Sequence, residues 1–201
     1  MAVSQRPYHH GNLRAALLAR AEETLSQEGA GELSLRELAR QVGVSHAAPR
    51  RHFPDKRALL DALAEDGFER LGRDLREAMG AAGPRFEDRL LAFAQAYVAF
   101  ATRHAALLEL MFAGKHRPDA SEELRRAADS AFEAPLGLVL AGQRAGAVVA
   151  GDPERVGIVA FAALQGIAVL ANSGMLGDAA LWDTVDDAVD RLLDGLRPRP
   201  S

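Results

Sequence analysis

Cysteine is absent from the chain, which excludes disulfides, thiol nucleophiles and Cys-ligated zinc. Lysine is nearly absent: of 24 Lys and Arg residues, only Lys56 and Lys115 are lysines. No unbroken run of about 18 apolar residues occurs, so neither a membrane span nor a membrane partner is expected. The first 20 residues carry Arg6, His9, His10 and Arg14, with no apolar core and no small-residue cleavage site. A secretory signal is therefore not expected, and the cytoplasm is the default compartment. Alternation of apolar and polar residues, the mark of half-buried strands, is nearly missing. There is no internal repeat and no low-complexity segment. Enzyme constellations are missing too: no nucleophile–base set, no phosphate-cradling glycine loop and no group of metal ligands. Gly29-Ala-Gly31 reads as a helix end, and the adjacent His9 and His10 lack a third ligand nearby. No metal, cofactor or catalytic activity is expected.

What is present is helical periodicity and an uneven charge. The net charge is −4. Residues 1–60 hold 9 Lys+Arg against 6 Asp+Glu, while residues 61–201 hold 15 against 22. A basic head on an acidic body points to a polyanion that meets the head alone.

The pattern predicts an all-α chain of about nine helices. The first spans Asn12 to Glu28, with Leu13, Leu17, Ala21 and Leu25 on one stripe and Gly29 after its end. Ser34 opens a short helix, Leu35 to Val42, and forms the capping-box pattern with Glu37. Gly43 ends it. Ser45 opens the next, His46 to His52, which Phe53-Pro54 closes. Asp55 caps a long helix, Lys56 to Met79. The break at Ala81-Ala82-Gly83-Pro84 separates further helices over Phe86–Thr102, Ala105–Ala113, Ser121–Ala145, Pro153–Ser173 and Ala179–Leu196. Asp152-Pro153 is an N-cap followed by Pro at the first helical position. The tail Arg197-Pro-Arg-Pro-Ser201 is expected to fray. Residues 1–60 are read as a head of three helices, and residues 61–201 as a separate helical body.

Residues 33–60 carry the function. Two short helices joined by a tight turn at Gly43 are the helix-turn-helix pattern. Ala39 is small enough for the helices to cross closely, Val44 plugs the joint, and Ser45 leaves a helix N-terminus free to face a duplex. Val42-Gly-Val-Ser45, followed by Arg51-His-Phe-Pro-Asp-Lys56 and Ala58-Leu-Leu60, resembles the G-V-S…Y-R-H-F-x-x-K-x-x-L-L pattern of the TetR family of bacterial repressors. The opening Tyr8-His-His-Gly-Asn-Leu13 is similar to the start of the first helix in many members. In the body, Ala163-Leu-Gln-Gly-Ile-Ala-Val-Leu170 resembles the W-H-G type, with Gln165 in place of its His.

The resemblance implies a ligand-responsive transcriptional regulator, a repressor released from a palindromic operator by a small organic effector. It assigns DNA contact to Ser34, Arg36, Ser45, His46, Ala47, Arg50, Arg51, His52 and Lys56, with help from the arm residues Arg6 and Tyr8. Lys56 takes the place of the family's phosphate-gripping lysine. Two positions depart from the pattern: Pro49 replaces an aliphatic residue and Arg50 replaces Tyr. Pro49 cannot donate to Ser45 C=O and biases Ala48 away from αR, so a bent or tightened recognition helix is expected. These departures also motivate an alternative, an all-α sensor or scaffold with impaired DNA binding.

A palindrome needs two copies of the head, so a homodimer associated with the nucleoid is expected. The helix Pro153–Ser173 is apolar nearly all round and must be buried on more than one side. Ile158, Ala162 and Val169 on it, with Trp182, Val185, Val189 and Leu192 on the last helix, are assigned to the dimer interface. Phe93, Tyr97, Phe100, Met111, Phe112, Phe132 and Phe161 are assigned to an apolar effector cavity. Gln165 and Asn172, seven apart on one face, are assigned as its polar contacts.

Overall fold

The computed structural model describes residues 13–197, and all regular structure there is helical. The arm residues Arg6 and Tyr8, the His9-His10 pair, the Asn12 cap and the tail beyond residue 197 lie outside the described residues. The elements run α1 (Leu13–Glu28), α2 (Leu35–Val42), a 3-10 turn (Pro49–Arg51), α3 (Lys56–Ala81), α4 (Phe86–Arg103), α5 (Ala105–Lys115), α6 (Glu122–Arg144), α7 (Pro153–Asn172) and α8 (Asp178–Leu196).

Local chemistry sets the ends. Asp55 accepts from Ala58 N–H at 2.8 Å, Ser121 from Leu124 N–H at 3.1 Å, and Asp152 from Glu154 N–H at 2.9 Å. Each such cap is worth about 1 kcal/mol. Ser34 stands at the N-cap of α2 in extended backbone, but its side chain makes no capping bond. Glu37, the other half of the expected box, pairs instead with Arg40 at 2.9 Å and Gln41 at 3.0 Å. Gly43 ends α2 at φ 78° and ψ 31°, and the Val44 N–H returns to Ala39 C=O at 2.9 Å. That left-handed residue with its backward bond is what an L side chain would strain.

The head packs around Leu17, Leu18, Leu25, Leu38, Phe53 and Leu59, all buried. Arg20 Nε in α1 donates to Gln41 in α2 at 2.8 Å, fixing how the two helices cross. The body is organised by α3, which packs against α4, α5 and α6. Leu63, Phe68, Leu71 and Leu75 on α3 are fully buried. α3 and α6 touch at Gly72, where a Cβ would lie 2.9 Å from Ala131 Cα. Only glycine admits that approach. α7 lies over α4 and α6, and α8 over α4 and α7.

α7 stands out in composition, and one expectation changes. α7 has the length and apolar composition of a membrane span. Its apolar residues are interrupted by Gln165 and by small residues, so no unbroken run signals this. The segment His46–His52 is not an α-helix: three turn residues lead into the 3-10 turn.

Candidate functional site

The first candidate surface is the corner formed by α2 and the 3-10 turn. Pro49 has no N–H, so Ser45 C=O receives instead the Ala48 N–H at 3.0 Å, an i→i−3 bond. Arg51 N–H to Ala48 C=O at 3.3 Å and His52 N–H to Pro49 C=O at 2.9 Å continue the tighter winding. The expected tightening is therefore present. The bias on Ala48 is overridden, because Ala48 adopts αR at φ −63° and ψ −44°. Pro49 and Phe53 are buried and anchor the turn to the head core, with the Arg14 guanidinium 5.7 Å above the Phe53 ring.

With those two anchors inside, the intervening side chains point out. Ser34, Arg36, Ser45, His46, Ala47, Arg50, Arg51 and His52 are all exposed. Eight of the assigned contact residues on α2, its cap and the following turn are thus free of the core. Lys56, half-buried at the start of α3, donates from Nζ to Gly31 C=O at 2.6 Å. One of its three donors is used there, so the ammonium is held at the edge of this corner. Its neighbour Arg57 turns the other way and pairs with Asp119 before α6.

The second candidate is a groove of about 580 Å³ between α4, α6 and α7. Of the residues assigned to a cavity, Phe93, Phe112, Phe132 and Phe161 line it. Phe161 packs edge-on to Phe132 at 5.3 Å and lies 5.9 Å from Phe112. The others go elsewhere. Phe100 and Met111 are core residues: Phe100 packs on His104, and Met111 packs where Gly67 leaves α3 bare. Tyr97 is fully buried and donates its hydroxyl to Gln165. Burial also pushes the Tyr97 phenol well above its ordinary value. Gln165 is thus occupied inside the protomer. Asn172 donates to Ala101 C=O of α4 at 3.2 Å.

Sequence reasoning missed the groove's cation. Lys115, the last residue of α5, lines it, with Nζ 4.9 Å from the Phe112 ring centre, 5.8 Å from Phe132 and 5.9 Å from Phe68. The available signal was its rarity: one of two lysines, ending an apolar helix. Pro135 within α6 also lines the groove. It removes the N–H that Ala131 C=O would accept, loosening α6 there.

A third feature connects the two. Asp61 on α3 is 8% exposed, and accepts from Arg117 and from Ser121 N–H, the latter at 3.3 Å. The turn leading into α6 is thereby clamped to α3 within two turns of Lys56.

The third surface is apolar. Ile158 is 59% exposed, Val159 61% and Val169 57%. With exposed Ala162, Gly166 and Leu170 they form one stripe along α7. Trp182 on α8 is also exposed. Val185 and Val189, assigned to the same surface, are buried within the protomer, and Leu192 is half-buried. The four-residue spacing of Leu181, Val185 and Val189 faces them inward against the chain's own core. The outer side of α8 carries Asp183, Asp186, Asp187, Asp190 and Asp194.

Comparisons with known proteins agree with this layout. Residues 17–63 match the model described as bacterial regulatory proteins, tetR family. Residues 90–196 match the tetracyclin repressor-like C-terminal domain. A structure of a protein with unknown function from Rhodococcus sp. RHA1 is 47% identical with a TM-score of 0.90, covering 96% of this chain and 100% of that one. A TetR family transcription regulator from Marinobacter aquaeolei VT8 shares the fold at 16% identity and a TM-score of 0.75, covering 92% of this chain and 96% of that one. Among curated relatives, the nucleoid occlusion factor SlmA of Aliivibrio fischeri is 32% identical over 137 residues, 66% of this chain and 65% of that protein. The chain therefore matches just under two thirds of that relative's length.

Proposed function

This chain belongs to the tetR family of bacterial regulatory proteins, a DNA-binding transcriptional regulator, and from that premise we propose that it is a homodimeric repressor released from a palindromic operator by a small organic effector. The observation that carries this reading is the recognition corner. Pro49 and Phe53 hold it to the core while His46, Ala47, Arg50, Arg51 and His52 stand clear of it. Residues 1–60 form the head in this reading and residues 61–201 the body. Arg50 and His46 read base edges. Ser34, Ser45, Arg51 and Lys56 hold phosphate, which supplies affinity without sequence choice.

The apolar stripe of α7 covers itself against a second copy, with Trp182 beside it. Two heads then face adjacent major grooves about 34–36 Å apart. Effector enters the groove between α4, α6 and α7. The route to the head is the clamp at Asp61: a shift of α6 moves the Arg117–Ser121 turn, and with it the DNA-proximal part of α3. A ligand that fits the off-DNA geometry better shifts the population away from the operator. The dimer acts in the cytoplasm on nucleoid DNA, the setting that the printed name of the SlmA relatives also suggests.

Selection of the purified protein against random duplex DNA at near-physiological salt tests the reading. Enrichment of a palindrome with half-sites one helical turn apart is expected. A folded dimer that enriches nothing would remove DNA reading and leave a sensor or scaffold.

A further inference from the structure

The effector groove is lined mostly by apolar side chains but includes a cation. Phe93, Phe112, Phe132 and Phe161 supply walls, and Lys115 lines it beside them. A lysine serving only to pack sends its ammonium to water or to an acid. Among the described residues Lys115 has no acid in ion-pair contact, and its ammonium lies over aromatic rings. It is half-buried, and three phenylalanine rings lie within 5.9 Å of Nζ. Among the described residues no carboxylate oxygen comes within salt-bridge distance of Nζ and no acceptor is hydrogen-bonded to it. Burial lowers the basicity of this amine, and the charge of exposed Asp129 on α6 only partly opposes that. The ring faces attract the positive charge but accept none of its three N–H donors in the way an oxygen does.

We propose that the effector is an amphipathic monocarboxylic acid, its hydrocarbon or aryl body lying in the groove and its carboxylate paired with Lys115. This rests on the reading of the groove as the effector site. A compact ammonium suits a terminal carboxylate, whose two oxygens take the donors the rings leave unused. A groove of about 580 Å³ is in the range that holds an organic molecule of this size. The rival is a lipophilic cation, because Asp129, Glu133 and Glu154 also line the groove. All three acids are exposed residues, whereas Lys115 is the half-buried charge among the rings. The charge that lies among the rings decides the sign of the ligand that packs against them.

The probes are decanoate, decanol and decylammonium, measured by titration calorimetry on the full-length protein. Decanoate is expected to bind most tightly to the wild type and to release operator DNA. Lys115→Met, similar in volume and uncharged, should weaken decanoate by about ten- to a hundredfold, the loss of a charge-assisted hydrogen bond. Decanol should change by less than about threefold, since its contacts are with the walls. Lys115→Arg, which keeps the charge, should recover part of the decanoate affinity. Circular dichroism of both variants separates this from a folding defect. Decanoate binding equally to wild type and Lys115→Met, or decylammonium outcompeting decanoate, overturns the assignment to Lys115 while leaving the groove as the effector site. If none of the three probes binds, both the assignment and the effector reading of the groove fall.

Discussion

The carboxylate of Glu22 in α1 accepts both Nη groups of Arg70 in α3, at 2.5 and 3.0 Å. His104, at the joint of α4 and α5, brings Nδ1 to 3.0 Å of the same carboxylate. Three elements thus meet on one acid, and one of them belongs to the head. The three side chains are 23–26% exposed, so the pair is partly shielded from water and salt. Together with the clamp at Asp61 it fixes α1 and the DNA-proximal half of α3 relative to the body.

Glu22→Gln keeps the shape and removes the charge, leaving the Arg70 guanidinium without its acid in a partly buried place. The expected loss of stability is about 1–3 kcal/mol, read as a lower urea midpoint with unchanged slope. Glu22→Leu combined with Arg70→Met should cost less than the sum of the two single changes, because neither partner is then stranded. Strict additivity in that cycle would mean that the pair is incidental.

The same cluster sets the response to pH. Burial and then the Arg70 charge pull the His104 imidazole below its ordinary 6.5, against the opposing pull of Glu22. The imidazole is therefore neutral near pH 7, and the tautomer that fits is the one that donates Nδ1–H to Glu22. Burial pushes the Glu22 carboxyl up, but Arg70 and His104 outweigh it, and it ends below 4.5. Both groups are depressed on folding, so the unfolded chain takes up each proton first. Each contributes stability that is full above its unfolded value and is lost as pH falls through its folded one. Thermal midpoints should fall as pH drops below about 6.5, and fall further below about 4.5. His104→Gln should flatten the upper part of that curve and leave the lower part in place.

At the recognition corner the two cations should fail in different ways when removed. Arg50 is exposed on the turn that would face the groove. Arg50→Ala is expected to cost about 1–3 kcal/mol of operator affinity and to relax the choice of base at one position. Lys56 is held by Gly31 C=O at the edge. Lys56→Ala should weaken binding to all sequences alike and reduce the salt slope by about 1. Filter binding across a salt series, on the selected site and on single-base variants of it, separates the two. A uniform loss for Arg50→Ala would move that residue to the phosphates.

Helix ends marked by a local chemical signal were legible from the residues alone. The Asp55 and Asp152 caps and the left-handed Gly43 sit where sequence places them, because each needs only its own neighbours. The effect of Pro49 was legible for the same reason: a missing N–H is a property of one residue. Ser34 failed as a capping box because Glu37 had two better partners, Arg40 and Gln41, that a spacing rule does not weigh. The groove was half legible. Apolar spacing marked Phe93, Phe112, Phe132 and Phe161 as inward-facing, but it marked Phe100 and Met111 in the same way. Inward says nothing about whether a side chain meets another or an empty space. Lys115 was hidden because a charge at a helix end ordinarily points to water. Val185 and Val189 show the same limit: both are apolar, and only the packing of α8 on its own chain assigns them to the protomer rather than to a partner.

The exposed stripe of α7 gives the last prediction. Ile158 and Val169 are more than half exposed and lie on one side of the helix. In a two-fold dimer each contact residue appears twice, so a single change is felt on both copies. Ile158→Glu with Val169→Glu introduces four carboxylates into that surface, where they lose water and gain no partner. Sedimentation equilibrium should report a monomer, with helix content unchanged because neither side chain supports the protomer core. Operator affinity should fall to the non-specific level, weaker on the order of 10³-fold or more, since one head reads only a half-site. Asp190→Ala, on the acidic outer side of α8, should leave both the dimer and DNA binding intact. A doubly charged variant that stays dimeric and keeps its operator would place the interface elsewhere. The stripe would then be free to meet another apolar partner, and the span-like composition of α7 would make a bilayer the next surface to test against it.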